Sequence, residues 1–281
     1  MSCDECLSRR TEADDSTAFG MSVADGCGAC SSRGLCWSAG IASDEKRWYD
    51  NLKFTRRRVK RGEVLYHMGD GFESIFAVRS GFFKTRVLLQ DGRDHVTSFR
   101  MNGELLGFDG IGSQTYNCDA IALEDSEVCI IPYQRLMQLA AKVQSLGLEL
   151  NRMLSREIVR EQHLMALLGT MQANERVVTF LLNLSTRLKE RHYSATRFVL
   201  RMTREEIGSY LGLTIETVSR TLTKLVRKGV ISLQLKEVRI LDLPALHQLA
   251  QHADDSDCQH HPLLATPKAT ASQSKKRMQI A

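Results

Sequence analysis

The stretch MTREEIGSYLGLTIETVSRTLTKLVRKGVI constrains the fold more than any other part of this chain. Thr203, with Glu206 three positions later, predicts a capping box at the start of one helix. Gly212 is suited to a turn, and Thr214 predicts the cap of a second helix that runs to about Lys228. Two short helices joined in this way predict a helix-turn-helix. The β-forming runs VISLQL and VRILDL that follow predict a wing.

The second helix of this motif carries the candidate DNA contacts. Its N-terminal half, which enters the major groove in helix-turn-helix proteins, holds Glu216, Ser219 and Arg220. Arginine can bind guanine, glutamate can accept a hydrogen bond from cytosine and serine is adaptable, so we predict that all three contact bases. The alternative is an ordinary helical ion pair between Glu216 and Arg220. Three cations further along the helix are candidates for phosphate contacts: Lys224, Arg227 and Lys228.

The distribution of charge supports a nucleic-acid partner. Residues 201–240 carry eight Lys and Arg against four Glu, whereas residues 1–26 carry two Arg against six Asp and Glu. The net charge of the whole chain is only +5. Positive charge concentrated in one small region is expected of a nucleic-acid-binding face, so the predicted partner is double-stranded DNA.

Two other patterns precede this motif and together predict an α+β fold. From Glu63 to Ile131, short β-branched and aromatic runs alternate with Gly- and Asp-containing turns, which predicts an all-β sandwich, barrel or roll. After Pro132 the apolar period changes to about 3.6, which predicts one long helix from Tyr133 to about Gly169.

The long helix has an apolar seam that predicts pairing with a second helix, and therefore a homodimer. Helices much longer than about 11 residues often join subunits, although packing on the helix's own domain is the alternative. The seam residues are Leu154, Ile158, Glu161, Met165 and Leu168. Two copies of Glu161 across a two-fold axis would repel each other and keep the monomer–dimer equilibrium near equal populations. The alternative is that the Glu161 side chain points aside to solvent.

Three cysteines in the segment CGACSSRGLC are the candidate metal ligands. Cys27, Cys30 and Cys36 have the spacing C-x2-C-x5-C, which fits either a zinc site completed by a fourth ligand or an iron–sulfur cluster held by four Cys. A disulfide framework is the third option. The chain has no signal-peptide pattern and no long apolar run, so we expect a cytoplasmic protein without membrane contact, and disulfides are rare there. No P-loop, H-E-x-x-H or Ser/His/Asp grouping occurs, so we do not expect an enzyme.

The order of β-rich domain, long helix and helix-turn-helix resembles the cyclic-AMP receptor protein superfamily of transcription regulators. Within it, the runs AVRSGFFK, GELLGFDGIGS, ALEDSEVCIIP and LTIETVSR resemble the oxygen-sensing FNR (fumarate and nitrate reduction) family. The resemblance implies an N-terminal β-roll, a dimerisation helix and a C-terminal winged helix-turn-helix. The expected divisions are a disordered tail over residues 1–26, a cysteine segment over 27–48, the β-roll over 49–135, the dimerisation helix over 136–169, the DNA-binding domain over 170–246 and a second disordered tail over 247–281.

The resemblance also implies a cofactor and an operator. Family members hold an oxygen-labile 4Fe–4S cluster on three N-terminal cysteines, matched here by Cys27, Cys30 and Cys36, and on one later cysteine. The later one matches Cys129 rather than Cys118, and Cys129 lies just before the long helix. Glu216, Ser219 and Arg220 match the residues that bind the TTGAT half-site of an inverted repeat. RNA polymerase is the further partner that the resemblance implies.

A cyclic nucleotide is not expected as the effector. Nucleotide-binding relatives use an Arg of the β-domain to hold the phosphate, but no Arg or Lys occurs between Arg100 and Arg135, where six acidic residues stand instead. The competing interpretation of the whole chain is a constitutive or differently regulated helix-turn-helix regulator in which a structural zinc replaces the cluster.

Overall fold

The structure, a computed structural model, describes residues 22–23, 36, 55–89 and 92–251. Its first part contains β1 (Ser22–Val23), β2 (Thr55–Val59), β3 (Val64–Tyr66), β4 (Ser74–Ser80), β5 (Phe82–Leu88), β6 (Asp94–Met101), β7 (Leu105–Leu106), α1 (Gly110–Ser113), β8 (Asp119–Ala122) and β9 (Ser126–Pro132). Then follow α2 (Tyr133–Ala140), α3 (Gln144–Thr170) and α4 (Ala173–Glu190). The last part contains β10 (Arg197–Val199), α5 (Arg204–Leu211), α6 (Ile215–Arg227), β11 (Ile231–Gln234), β12 (Glu237–Ile240) and α7 (Leu243–Gln251).

The β-domain, which comprises β1 to β9 with α1, consists of two antiparallel sheets. One has the strand order β1-β2-β9-β4-β7 and the other β3-β8-β5-β6. Fully buried side chains such as Ile75, Val78, Phe83 and Val128 join in one apolar cluster, which we call the first core. Strand β4 contributes four buried residues in succession to this cluster. The predicted α+β fold with an N-terminal β-domain is confirmed.

Strand β2 was not predicted because its sequence, TRRRV, lacks the usual apolar alternation. It pairs with β9, where Arg58 lies opposite Glu127 and Val59 opposite Ser126. Only Val59 of β2 is buried. The Glu127 carboxylate forms its ion pair with Arg79 of β4, so β2 is defined by its backbone pairing with β1 and β9 rather than by a hydrophobic pattern of its own.

The prediction of one continuous helix after Pro132 is wrong in one respect. The chain leaves the helical path between α2 and α3, where Val143 has an extended backbone with φ −121° and ψ 95°. This turn allows Val143 and Leu146 to bury in the same cluster as Leu136. Burial of three large apolar side chains is worth several kcal/mol, roughly 1.5–3 for each, and outweighs the helix propensity of a few residues.

The C-terminal domain comprises α4 to α7 and a three-stranded sheet in the order β10-β12-β11. Strands β11 and β12 form the predicted wing, whereas β10 was not predicted. Helix α7 continues to Gln251, beyond the expected domain end at residue 246, because Leu246 and Ala250 are both buried in this domain.

The predicted N-terminal tail contains one described element. Ser22 and Val23 pair with Arg56 and Thr55 as strand β1, so the prediction of disorder fails for these two residues. The remainder of residues 1–26, most of the cysteine segment and residues 252–281 lie outside the described residues. Within the described ranges, no helix has both the length and the apolar character needed to cross a membrane.

Candidate functional site

The helix-turn-helix forms from local hydrogen bonds that the sequence predicts. Thr203 Oγ1 accepts a hydrogen bond from the Glu206 backbone N–H at 3.1 Å, and Glu206 Oε2 accepts one from the Thr203 N–H at 2.6 Å, so the capping box is confirmed. Gly212 ends α5 with φ 62°. A Cβ added to Gly208 would lie 2.6 Å from the Leu213 carbonyl oxygen, so only glycine permits this close approach of the turn.

Helix α6 presents the predicted DNA contacts to solvent. Its buried face consists of Val218, Thr221, Leu222 and Leu225, and these residues pack it onto the domain. Ser219 is half-buried, and the other predicted contact residues are exposed: Glu216, Arg220, Lys224, Arg227 and Lys228. The structure therefore brings the candidate base and phosphate contacts together on one open helix face.

Glu216 is held as an ionised hydrogen-bond acceptor. Hydrogen bonds from its own backbone N–H and from Thr214 lower the pKa of its carboxyl group, and Arg220 contributes least to this shift. The largest causes of the lowered pKa are thus local groups at the start of the helix. An ionised carboxylate is the form that accepts a hydrogen bond from cytosine N4.

Sequence reasoning missed two side chains that position this helix. Arg204, the first residue of α5, donates from Nη1 to Ser219 Oγ at 3.2 Å. Thr221 Oγ1 donates to Asn174 Oδ1 of α4 at 2.8 Å. The exposed Arg204 at a helix start was the available signal, but nothing in the sequence indicated that it would reach the neighbouring helix.

Helix α3 leaves part of its apolar surface uncovered. Ile158 is 60% exposed and Met165 is 64% exposed, whereas the seam residues Leu154 and Leu168 are half-buried within the same chain. Glu161 is exposed between them. Partial removal from water raises the pKa of Glu161; Arg100 and Arg160 oppose this rise, and Glu157 adds to it. A row of exposed large apolar side chains on one helix is typical of a surface that pairs with another helix.

Two of the four predicted cluster ligands are described, and both lie near the first core. Cys129 is half-buried in β9, where Arg56 of β2 and Ala77 of β4 flank it across the sheet. Cys36 is also half-buried, and both cysteines pack against the first core. Cys27 and Cys30 lie outside the described residues. Among the residues that are described, no three His, Cys, Asp or Glu side chains come together as a metal site.

Cys118, the rival of Cys129 for the fourth ligand position, is in a different environment. It is buried, and its thiol donates a hydrogen bond to Asp109 Oδ2 at 3.4 Å. Burial raises the pKa of the Cys118 thiol, and the nearby Asp109 carboxylate raises it further, to about 12. Since metals bind the thiolate, this environment disfavours Cys118 as a ligand.

Aromatic rings occupy the interior of the β-domain. The rings of Tyr66 and Tyr116 stack with centroids 4.0 Å apart, and Phe76 stacks on Tyr66 at 5.5 Å. Phe72 meets the edge of Tyr116 at 5.5 Å, and all four residues are buried. Tyr116 is further held by donating its hydroxyl hydrogen to the Ser74 carbonyl at 2.7 Å.

Two family profiles match most of the described chain. The Crp-like helix-turn-helix domain matches residues 175–249, and the cyclic nucleotide-binding domain matches residues 56–143. These ranges coincide with the C-terminal domain and with the β-domain together with α2, so the fold and the sequence comparison divide the chain in the same way.

Curated relatives and solved structures agree with these profiles. The chain is 43% identical over 224 residues to the transcriptional activator protein Anr of Pseudomonas aeruginosa, covering 80% of this chain and 92% of that protein. It is 38% identical over 226 residues to the fumarate and nitrate reduction regulatory protein of Escherichia coli, covering 80% and 90%. The structure of FixK2 from Bradyrhizobium japonicum matches with a TM-score of 0.64 at 30% identity, covering 70% of this chain and 96% of that one.

Proposed function

Because the chain belongs to the FNR (fumarate and nitrate reduction) family of transcription regulators, within the cyclic-AMP receptor protein superfamily, we propose that it is an oxygen-responsive regulator. It is a helix-turn-helix transcription regulator, and relatives at about 40% identity include proteins named for activation or anaerobic regulation. Our proposal goes further and names oxygen as the signal, a 4Fe–4S cluster as the cofactor and a TTGAT-type inverted repeat as the operator. A regulator of this kind acts on chromosomal DNA, so its expected location is the cytoplasm.

We assign a 4Fe–4S cluster to Cys27, Cys30, Cys36 and Cys129. When bound, the cluster supplies an oxygen-labile group that ties the N-terminal segment to the β-domain. The observation that carries this assignment is the position of Cys129, which is half-buried in β9 and packs, like Cys36, against the first core. The raised thiol pKa and the Asp109 contact of Cys118 favour Cys129 over that rival.

Cys129 also lies where a change in the bound cluster could alter the position of the dimerisation helix α3. Strand β9 ends at Pro132, and α2 begins at the next residue. Leu136 of α2 and Leu146 of α3 bury in the first core, against which Cys129 packs. A shift of β9 therefore moves the start of α3 through packed side chains, and packed cores transmit strain because they have few voids. In the proposed switch, holding Cys129 positions α3 for pairing with a second copy.

The paired form would place two α6 helices about one DNA turn apart on an inverted repeat. We propose that Glu216, Ser219 and Arg220 contact bases of a TTGAT-type half-site and that Lys224, Arg227 and Lys228 contact phosphates. Five of these six residues are exposed on α6 or directly after it, and Ser219 is half-buried beside them, which supports this assignment. RNA polymerase is the proposed further partner, by analogy with the relative named a transcriptional activator.

We propose that no cyclic nucleotide serves as the effector, although residues 56–143 match the nucleotide-binding profile. Four buried aromatic rings occupy the β-domain interior, and the segment between Arg100 and Arg135 contains no cation to bind a phosphate. A charged nucleotide without a cationic partner would lose its hydration without compensation.

The second candidate is a helix-turn-helix regulator with a structural zinc in place of the cluster, which the same cysteines could hold. Purification without oxygen, followed by iron and sulfide analysis and a visible spectrum, separates the two. An iron–sulfur protein should absorb in the visible range and lose that absorption in air. A colourless protein that contains zinc and no iron would overturn the cluster assignment.

Replacing Glu161 with Ala is expected to make dimerisation less dependent on the cluster. The change removes two like charges from the seam and leaves Ile158 and Met165 continuous with a small apolar residue. A gain of about 1.4 kcal/mol would raise the dimerisation constant tenfold and give measurable DNA binding in air. Sedimentation and operator binding with and without the cluster measure this effect.

The control for this variant is Glu73→Ala, which removes the same charge from an exposed position of the β-domain. It should remain as monomeric in air as the parent. If Glu161→Ala and Glu73→Ala behaved alike, Glu161 would face solvent and would not affect pairing across the seam.

A further inference from the structure

The C-terminal domain and the β-domain share a buried interface on β5 and β6. Phe99 of β6 meets the rings of Tyr210 in α5 and Phe180 in α4, with centroids 5.2 Å and 6.0 Å apart. A second buried cluster combines Phe82 and Met101 of the β-domain with the core of the C-terminal domain. The two domains are therefore packed against each other as one apolar unit.

A buried carboxylate lies at one edge of this interface. Glu104, in the turn between β6 and β7, is 8% exposed. Arg187 Nη2 of α4 donates to Glu104 Oε2 at 2.7 Å, and Arg191 Nη2 donates to Oε1 at 2.7 Å. Arg160 Nη2 of α3 lies 3.7 Å from Oε1. One side chain of the β-domain thus contacts both the long helix and the first helix of the C-terminal domain.

Arg187 of α4 and Arg191, which directly follows α4, also bind the backbone of the β-domain. Arg187 Nη2 donates to the Phe99 carbonyl at 2.7 Å, and Arg191 Nε donates to the Asn102 carbonyl at 2.7 Å. A planar guanidinium group that binds a carboxylate and a carbonyl at the same time fixes the orientation of the two partners as well as the distance between them. The direction of α4 relative to the β6–β7 turn is therefore defined.

A second polar contact holds the helix-turn-helix itself. Lys84 Nζ of β5 lies 2.7 Å from Glu206 Oε1, while the other oxygen of Glu206 completes the capping box of α5. Ser209 Oγ accepts from the Val96 N–H at 2.9 Å and donates to the Asp94 carbonyl at 3.2 Å. Helix α5, which packs against α6, is thus attached to β5 and β6 at its first turn and again along its length.

The energetics favour one docked orientation. Burial would raise the pKa of Glu104, but Arg187, Arg160 and Arg191 together lower it to about 2. If the C-terminal domain moved away, Glu104 would lose two of these three cations while the surrounding β-domain remained. The hydrogen bonds from Arg187 and Arg191 to Glu104 exist only in the docked arrangement, so they favour that orientation of the C-terminal domain.

We propose that Glu104, with Arg187 and Arg191, positions the C-terminal domain for DNA recognition, so that the β-domain sets the separation of the two α6 helices in the dimer. This inference rests on the proposed function, in which a dimer binds an inverted repeat. A rigid separation should be visible as a preference for one half-site spacing. A spacing change of one base pair rotates one half-site by about 35°, because a DNA turn takes about 10–10.5 base pairs.

The test compares the Glu104→Gln variant with the parent, both purified without oxygen, on inverted repeats of the parental spacing and of one base pair more or less. We expect the preference for the parental spacing to fall about fivefold or more, at the lower end of usual coupling between sites. Binding to random DNA should remain unchanged, because α6 keeps its cations. A side chain that only stabilises the fold would weaken binding at every spacing by the same factor.

Two further variants make the result specific. Glu124→Gln makes the same chemical change at a more exposed interdomain pair, in which Arg201 Nε lies 3.0 Å from Glu124 Oε2, and it should keep the parental preference. Glu104→Asp keeps the charge and should recover part of the preference. An unchanged preference in Glu104→Gln, or an equal loss in Glu124→Gln, would overturn the inference.

Failure of the variant to fold and failure of the proposed function must be distinguished from failure of the inference. If Glu104→Gln does not fold, Arg191→Gln tests the same contact from the other side, because it removes the hydrogen bonds to Glu104 and to the Asn102 carbonyl, and an unchanged spacing preference in this variant would contradict the inference. If the parent itself binds every spacing and random DNA equally, the proposed function fails and the inference fails with it. The behaviour of the parent therefore distinguishes the two failures.

Discussion

Replacing Cys129 with Ser is expected to abolish the visible absorption and the bound iron of protein purified without oxygen. The serine hydroxyl is a poor substitute for a thiolate ligand, and a cluster that needs four cysteines does not assemble stably on three. The same loss is expected for Cys27→Ser, Cys30→Ser and Cys36→Ser. Spectra and iron analysis, rather than activity, measure the effect.

The matched control is Cys118→Ser, which changes the same atom eleven residues earlier in the chain. Cys118 is buried beside Asp109 with a raised thiol pKa, and serine can donate to the same carboxylate. This variant should keep its iron and its spectrum. Loss of the cluster in Cys118→Ser and its retention in Cys129→Ser would reverse the ligand assignment.

The helix-turn-helix could be predicted from sequence because its determinants are local. Thr203 and Glu206 form the predicted capping box, and Gly212 has the positive φ that the turn requires. Each of these features depends on residues within a few positions of one another. The order of β-domain, long helix and helix-turn-helix followed from the change of apolar period and is confirmed by the structure.

The errors arose where distant residues decide the local structure. Strand β2 carries three consecutive arginines and is a strand because β1 and β9 pair with it. The chain leaves the helical path before Val143 because that side chain buries in the first core, which the apolar period of the helix does not indicate. In both cases tertiary packing outweighed local propensity.

The candidate site was predictable only in part for the same reason. Exposure of Glu216 and Arg220 followed from the period of α6, but the hydrogen bond from Arg204 to Ser219 joins two helices. The Glu104 contacts join a turn of the β-domain to arginines more than eighty residues later. Such pairings have no local pattern, so only the folded chain reveals them.

Replacing Arg220 with Ala is expected to reduce operator affinity by about 1–3 kcal/mol and to relax the preference at one base pair of each half-site. Arg220 is exposed on α6, so its guanidinium is accessible to a guanine in the major groove. Binding measurements on the operator, on single-base variants and on random DNA, each at several salt concentrations, give the affinity and the preference separately.

The matched control is Lys224→Ala, one helical turn further along the same exposed face. Loss of a phosphate contact should weaken binding to all sequences alike and lower the slope of log affinity against log salt by about one. Arg220→Ala should instead leave random DNA nearly unaffected while it removes discrimination, because a base contact contributes only where its base is present. Equal losses on operator and random DNA from Arg220→Ala would mean that Arg220 contacts phosphate, and base discrimination would then have to come from Glu216 and Ser219.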